Sequence, residues 1–151
     1  MFTKIPNPSL TPHPNKLVTL NLRGCKNLKS IPAISHLEFL KKLDLSGCSK
    51  LKRLPEISSD NLEWMALNGT AIEELPPSVE CLSRLLSLSL EDCTSLKSLP
   101  SNLGKLKSLK WLFLHRCSNL QRLPEELGNL EALRALYAGK RSTVIHFPKQ
   151  I

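Results

Sequence analysis

Cysteine and histidine are the residue types whose chemistry could make a metal, redox or nucleophilic site in this chain. Four of the five cysteines, Cys25, Cys48, Cys93 and Cys117, lie 23, 45 and 24 residues apart. None of them forms a CxxC pair, and an odd number of cysteines does not make a closed disulfide framework. The pattern therefore predicts neither a zinc site nor disulfides, and it favours a reducing, intracellular compartment.

The other reactive groups show no catalytic arrangement. The four histidines, His13, His36, His115 and His146, are irregularly spaced. The sequence contains no glycine-rich phosphate loop, no HExxH motif and no GxSxG motif. We therefore expect no catalytic residue, metal or cofactor in this segment, and the enzyme classes are disfavoured.

The net charge of +8 would suit an acidic protein face, a membrane surface or nucleic acid. No apolar run reaches the roughly 18 residues of a membrane span. The first 17 residues, "MFTKIPNPSLTPHPNKL", lack the apolar region of a signal peptide. Which of these partners the charge favours depends on where the basic residues lie in the fold.

An internal repeat organises almost the whole chain. The pattern LxxLxLxxCxxLxxLP begins at Leu17, Leu40, Leu62, Leu85, Leu109 and Leu133, at intervals of 22 to 24 residues. Leucine-rich repeats have periods of roughly 20 to 29 residues. The predicted units are 17–39, 40–61, 62–84, 85–108, 109–132 and an irregular 133–151, after the tail of a truncated repeat at 1–16.

Each unit predicts a strand followed by a return segment. Leu112 and Leu114 alternate with polar or exposed positions, as in a strand, whereas Leu127, Leu130 and Leu133 have the spacing of a 3₁₀ or short α-helix. One unit cannot bury its leucines alone, but a stack can. We predict an α/β leucine-rich repeat solenoid, with a curved parallel sheet on its concave face and short helical or 3₁₀ turns on its convex face.

The cysteines acquire a structural role in this arrangement. The ninth position of the unit, where the chain leaves the strand, holds Cys25, Cys48, Thr70, Cys93 and Cys117. A small side chain that donates a hydrogen bond to a neighbouring carbonyl suits that bend. Cys81 lies at a different position, on the convex side, where we expect it to pack as a small residue.

Positions three, five, seven and eight of each unit are predicted to form the concave face, the surface of the sheet opposite the leucine core. Phe113 and Tyr137 occupy the same position of adjacent units, about 4.8 Å apart, and can stack, with Trp111 on the same face. Exposed aromatics beside an arginine are typical of binding hot spots. The candidate protein-binding residues are Trp64, Trp111, Phe113, His115, Arg116 and Tyr137. The alternative is that they only cover the sheet or contact another domain of the same polypeptide.

Most of the basic charge lies along one edge of the predicted solenoid. Glu73 and Glu74 interrupt it in the third unit. A solvated flank and a docking site for an acidic protein face both remain open, whereas nucleic acid is disfavoured because the aromatics lie on another surface. This basic stripe consists of Lys26, Lys29, Lys50, Lys52, Arg53, Lys97 and Arg122.

Neither end of the repeat array carries an evident polar cap, which a solenoid needs to cover its terminal leucines. We therefore expect the chain to be a fragment of a larger multidomain protein.

Four stretches resemble a known family: "LVTLNLRGCKNLKSIP", "LKKLDLSGCSKLKRLPEIS", "LEWMALNGTAIEELPPSVECLSRL" and "LLSLSLEDCTSLKSLPSNLGKL". The alternation of a "GCxxLxxLP" unit with a shorter "GTAIxxLPxSV" unit is similar to the leucine-rich repeat region of plant nucleotide-binding immune receptors of the TIR type. The resemblance covers nearly the whole chain.

The resemblance implies a cytoplasmic, or nuclear, defence receptor in which this region recognises a pathogen effector or guarded host protein and holds the nucleotide-binding switch inactive. ADP or ATP binding and NAD cleavage would then belong to domains outside this segment. Two other classes stay open. An intracellular leucine-rich repeat scaffold or adaptor that binds a signalling protein would share the fold, whereas an extracellular receptor should have a signal peptide and paired cap cysteines.

Overall fold

The computed structural model describes residues 16–139 and the backbone of 143–145. These residues form one seven-stranded sheet whose strands follow chain order. The strands are β1 (Thr19–Asn21), β2 (Lys42–Asp44), β3 (Trp64–Ala66), β4 (Ser87–Ser89), β5 (Trp111–His115), β6 (Ala135–Gly139) and β7 (Thr143–Ile145).

Strands β1 to β6 are parallel, and equivalent positions of successive units lie side by side. Leu88 pairs with Leu112, and Leu112 pairs with Leu136. All three side chains are fully buried. This register follows from the repeat, because a slip of one residue would turn the leucines of a strand to the opposite face. The predicted leucine-rich repeat solenoid is confirmed.

On the convex side, the described residues form the short 3₁₀ helices Pro77–Cys81, Ser101–Lys105 and Glu125–Asn129. A proline with extended backbone precedes each of them, as the LP pattern indicates. The acidic Glu125 and Glu126 lie in the first turn of the last helix, where they complement the exposed N–H groups. In the two first units, the described return segments form turns without a helix.

The sheet ends in a way that the repeat pattern does not predict. Strand β7 pairs antiparallel with β6, with Leu136 opposite Ile145. The left-handed residue of this last unit is Gly139, at position seven, whereas units one to five place it at position eight. The described sheet therefore has one antiparallel strand at its edge, beside six parallel ones.

The core is one continuous column of leucines with a few isoleucines, cysteines, Val79 and Met65. Within the described residues, no helix is long and apolar enough to cross a membrane. The same part of the chain contains no group of three or more His, Cys, Asp or Glu side chains that could hold a metal ion.

Candidate protein-binding surface

The position-nine cysteines connect adjacent layers through hydrogen bonds. The thiols of Cys48, Cys93 and Cys117 donate to the carbonyl oxygens of Leu22, Leu67 and Leu90 in the preceding units, at 3.2, 3.0 and 2.9 Å. Burial raises the pKa of all three thiols, that of Cys117 to about 11. They are therefore protonated donors at neutral pH, and the predicted structural role of this position is confirmed.

Thr70 performs a related function in the third unit. Its hydroxyl donates to the Leu67 carbonyl at 2.9 Å and lies 3.5 Å from the Cys93 sulfur. The prediction for Cys81 is wrong, because this residue is exposed at the end of its 3₁₀ helix. That short helix turns only Val79 into the core.

The predicted aromatic stack on the concave face is confirmed. The rings of Phe113 and Tyr137 lie 4.7 Å apart with an angle of 6° between their planes. The parallel register produces this contact, since it places the two residues directly opposite one another on β5 and β6. Both side chains are half-buried, so one part of each ring packs while the rest remains available.

The two tryptophans lie in the same row but are not neighbours. Trp64 pairs with Ser87, and Ser87 pairs with Trp111. Both indoles are half-buried, whereas Ser87 between them is only 7% exposed. The ammonium of Lys110 lies 5.9 Å from the ring centre of Trp111. We call Trp111, Phe113 and Tyr137 the aromatic patch, and Trp64 lies two strands away from it.

His115 lies beside the aromatic patch, but it offers little surface for a partner. It is 7% exposed. Its ring is 5.9 Å from that of Tyr137, and its Nδ1 lies 3.1 Å from Oε1 of Glu91. Because an ionised carboxylate only accepts hydrogen bonds, Nδ1 carries the proton. The structure therefore gives His115 a supporting position under Tyr137.

Arg116 forms a two-pronged ion pair with Asp92 in the preceding unit. Its Nε and Nη2 donate to the two carboxylate oxygens at 2.6 and 2.9 Å. The hydrogen bond from Arg116 lowers the pKa of Asp92. Both side chains are about half exposed. Arg116 is thus held at the rim of the concave face, as an arginine beside the aromatic patch.

This ion pair lies on an unusual stretch of backbone. Position eight has positive φ in units one to five, and units one to three satisfy this with Gly24, Gly47 and Gly69. Asp92 and Arg116 adopt φ of 58° and 57° at the same position. Left-handed backbone is costly for residues with a Cβ, and such residues concentrate at functional sites.

A comparison of two substitutions tests this strain. We expect Arg116→Gly to melt about 2–4 °C above Arg116→Ala, because both lose the ion pair but only glycine relieves the left-handed backbone. Thermal unfolding followed by circular dichroism measures the difference. Equal melting temperatures would show that position 116 carries no strain. In both variants the pKa of Asp92 should rise back toward its ordinary value. In the wild type, the ion pair stabilises the fold at pH values above the ordinary pKa of Asp92, and this contribution is lost as the pH falls. Both variants lack this pH-dependent contribution.

The concave face of the earlier units has a different character. Asn68 accepts hydrogen bonds from the Ser89 hydroxyl and the Glu91 amide at 2.6 and 2.9 Å. Asp44 accepts from the Ser46 amide at 2.9 Å and pairs with Arg23 at 3.5 Å. These polar side chains satisfy one another, whereas the aromatic patch presents partly exposed rings. Sequence reasoning placed these residues on the concave face, but not as a connected network.

Every residue of the basic stripe is exposed. An ion pair lies in the middle of the stripe, since Nζ of Lys97 is 3.0 Å from Oε1 of Glu73. Lys97 is the main cause that lowers the pKa of Glu73, and Arg53 and Lys52 contribute. The third unit therefore places a carboxylate between the two basic halves. The stripe remains most strongly basic in units one and two.

Comparison with protein families gives one extended match. A family model described as a leucine-rich repeat region covers residues 15–146. The match includes all six predicted repeat starts and strands β1 to β7.

Two Arabidopsis thaliana proteins are similar to about half of the chain. The disease resistance protein RPP2A is 43% identical over 78 residues, which are 52% of this chain and 6% of the relative. The protein SUPPRESSOR OF npr1-1, CONSTITUTIVE 1 is 41% identical over 80 residues, which are 53% of this chain and 4% of that relative. The aligned part is thus a small fraction of both relatives.

Among solved structures, the leucine-rich repeat domain of the type III effector XopL is 21% identical, with a TM-score of 0.45, covering 83% of this chain and 70% of that one. A leucine-rich repeat protein of Leptospira interrogans is 22% identical, with a TM-score of 0.41, covering 86% and 46% of the two chains.

Proposed function

The chain belongs to the leucine-rich repeat family, and from this premise we propose that it is the protein-recognition region of an intracellular plant immune receptor. In this proposal the concave face contacts a pathogen effector or a guarded host protein. The similarity to a disease resistance protein over half of the chain supports the defence role.

The observation that carries the recognition role is the aromatic patch. Phe113 and Tyr137 stack, and Trp111 lies on the same strand as Phe113. Arg116 lies at the rim beside them. Aromatic residues and arginine are the types that dominate binding energy at protein interfaces. Because the two rings already pack against each other, less side-chain freedom is lost when a partner covers them.

The remainder of the receptor completes the proposal. A nucleotide-binding domain that holds ADP or ATP, and a TIR domain, would lie elsewhere in the polypeptide. The basic stripe, exposed along one edge, would dock on an acidic face of the nucleotide-binding domain and help to keep the switch inactive. The receptor would act in the cytoplasm or the nucleus.

Simultaneous replacement of Trp111 and Phe113 by alanine tests the recognition role. We expect effector binding to weaken at least about tenfold, because the two side chains supply most of the apolar contact area of the patch. The defence response in leaf tissue should fall with it, or appear without effector if the patch instead contacts another domain of the receptor.

Phe39→Ala is the control, since Phe39 is a large exposed apolar residue, at 48%, that lies outside the concave face. It should leave binding and signalling unchanged. If the double variant folds and still signals like the wild type, the patch has no recognition role. A full-length protein without a nucleotide-binding domain would instead favour the scaffold alternative.

A further inference from the structure

The two halves of the concave face differ in how their charged groups are arranged. Toward the carboxyl ends of the strands, carboxylates already hold partners: Asp44 with Arg23, Glu91 with His115 and Asp92 with Arg116. A ligand gains little from such groups, because each new hydrogen bond or ion pair replaces an existing one. Recognition through charge therefore depends on the other half of the face, at the amino ends of the strands.

That half places lysines next to tryptophans. Lys42 lies directly beside Trp64 in the register of β2 and β3. The ammonium of Lys110 lies 5.9 Å from the ring centre of Trp111. Both indoles are half-buried, so part of each remains accessible. We call positions two and three of units two to five the tryptophan row, which consists of Lys41, Lys42, Glu63, Trp64, Leu86, Ser87, Lys110 and Trp111.

The tryptophan row is apolar in its middle and basic at both ends. Leu86 is half-buried between the two tryptophans, and Ser87 beside it is 7% exposed. Lys41 and Lys42 are exposed at one end of the row, and the half-buried Lys110 lies at the other. Three lysines against the single carboxylate of Glu63 make the row a surface for a negatively charged partner.

The spacing of the tryptophans indicates the shape of that partner. Trp64 and Trp111 lie on β3 and β5, which are separated by β4. Two strand spacings correspond to about 10 Å. A segment in the polyproline II conformation advances about 3.1 Å per residue and returns to the same face every third residue, after about 9.3 Å. Two side chains three residues apart in such a segment therefore match the two indoles.

We propose that the tryptophan row binds an extended acidic segment of the partner protein, with two apolar side chains three residues apart and a carboxylate beside each. The apolar side chains cover Trp64 and Trp111, and the carboxylates contact Lys42 and Lys110. The binding surface thus extends beyond the aromatic patch to unit two, and Trp64 takes part in it. This inference rests on the proposed function, because the segment belongs to the protein that the concave face recognises.

Intrinsic fluorescence reports on this surface directly, since the chain has two tryptophans and both lie in the row. We expect iodide to quench the emission at least about twofold more efficiently than caesium, because the lysines attract the anion and repel the cation. The row variant, Lys42→Glu with Lys110→Glu, should abolish this preference. The stripe variant, Lys26→Glu with Lys29→Glu, changes the net charge equally and should keep it.

Selection from a phage-displayed library of random peptides on the 151-residue protein tests the chemistry of the ligand. We expect the selected peptides to be enriched at least about twofold in Asp and Glu, with aromatic or aliphatic residues three positions apart. Synthetic copies of them should shift the tryptophan emission to shorter wavelength as they bind, because the covered indoles lose contact with water.

Matched variants locate the binding of these peptides. The row variant should weaken it at least about tenfold, whereas the stripe variant should change it less than about threefold. Trp64→Ala should weaken it at least about fivefold, although Trp64 lies outside the aromatic patch, and Phe39→Ala should leave it unchanged. Circular dichroism checks that each variant folds. If the row variant does not fold, Trp64→Ala and the single Lys42→Glu at an exposed position still decide the outcome.

Four results would overturn the inference: selected peptides without acidic enrichment, equal effects of the row and stripe variants, unchanged peptide binding by Trp64→Ala, or tighter binding of a single-stranded oligothymidylate than of the peptides. Effector binding that falls in the double alanine variant of Trp111 and Phe113 but not in the row variant would refute this inference and leave the proposed function. Peptide binding as expected, with unchanged defence signalling by the double alanine variant, would refute the proposed function alone.

Discussion

Replacing Leu112 with alanine is expected to lower the free energy of unfolding by about 2–5 kcal/mol. Leu112 lies in the middle of β5 and is fully buried, and its register partners Leu88 and Leu136 are fully buried as well. Truncation therefore opens a cavity between two layers. Parallel strands anchor those layers on both sides, so the cavity cannot close by a small local movement.

Urea denaturation of the wild type and the variant measures this loss, as a shift of the midpoint. Leu123→Ala is the control within the same unit, because its side chain is 38% exposed. It should lose less than half as much stability as Leu112→Ala. Similar losses for the two variants, or a stable Leu112→Ala, would contradict the orientation assigned to β5.

Replacing Gly104 with alanine is expected to cost about 1–3 kcal/mol, the usual effect of forcing an additional carbon into a packed interior. Gly104 lies in the 3₁₀ helix Ser101–Lys105 and faces the next helix, Glu125–Asn129. A Cβ at this position would overlap the backbone carbonyl of Glu126. Because that obstacle is backbone, the two helices must separate to accommodate the methyl group.

Gly128 is the matched control for this prediction, because it occupies the same repeat position in the following unit. Among the residues that the structure describes, a Cβ there would meet no atom within 4 Å. Gly128→Ala should leave stability unchanged or raise it by up to about 1 kcal/mol, since alanine has less freedom in the unfolded chain. If both variants lose the same stability, helix spacing on the convex side does not depend on the absence of this Cβ.

The contrast between the two glycines illustrates what sequence patterns can and cannot indicate. Gly104 and Gly128 have the same neighbours, Leu before and Leu two residues later, so their local sequences predict the same tolerance. The difference arises because, within the described part of the chain, only Gly104 faces another helix. Contacts between layers depend on which unit follows, and no local pattern contains that information.

In the candidate site, too, the sequence predicted some features and contacts between strands decided others. The repeat period placed Phe113 opposite Tyr137, and the rings do stack at 4.7 Å. The same reasoning put His115 at the edge of the patch, but did not indicate that Glu91 and Tyr137 would leave it 7% exposed. Accessibility depends on the size and rotamers of neighbours in two adjacent strands, which the spacing of residues does not determine.

The left-handed positions could in part have been anticipated. Gly24, Gly47 and Gly69 share position eight, which indicates positive φ at this turn. Asp92 and Arg116 at the same position were therefore a detectable departure. Their two-pronged pairing was not detectable, because it needs the distance between two loops of adjacent layers.

The sequence alone determined the layered architecture of this protein. A leucine pattern with a period of 22 to 24 residues can bury its apolar side chains only when successive units stack in register, so the parallel sheet, its core column and its thiol hydrogen bonds followed from the repeat. The tertiary structure alone decided where the stack stops being uniform. The antiparallel pairing of β7, the packing of Gly104 and the shielding of His115 depend on contacts between different units. Three-dimensional packing sets those contacts, because each unit's surface is completed by its neighbour.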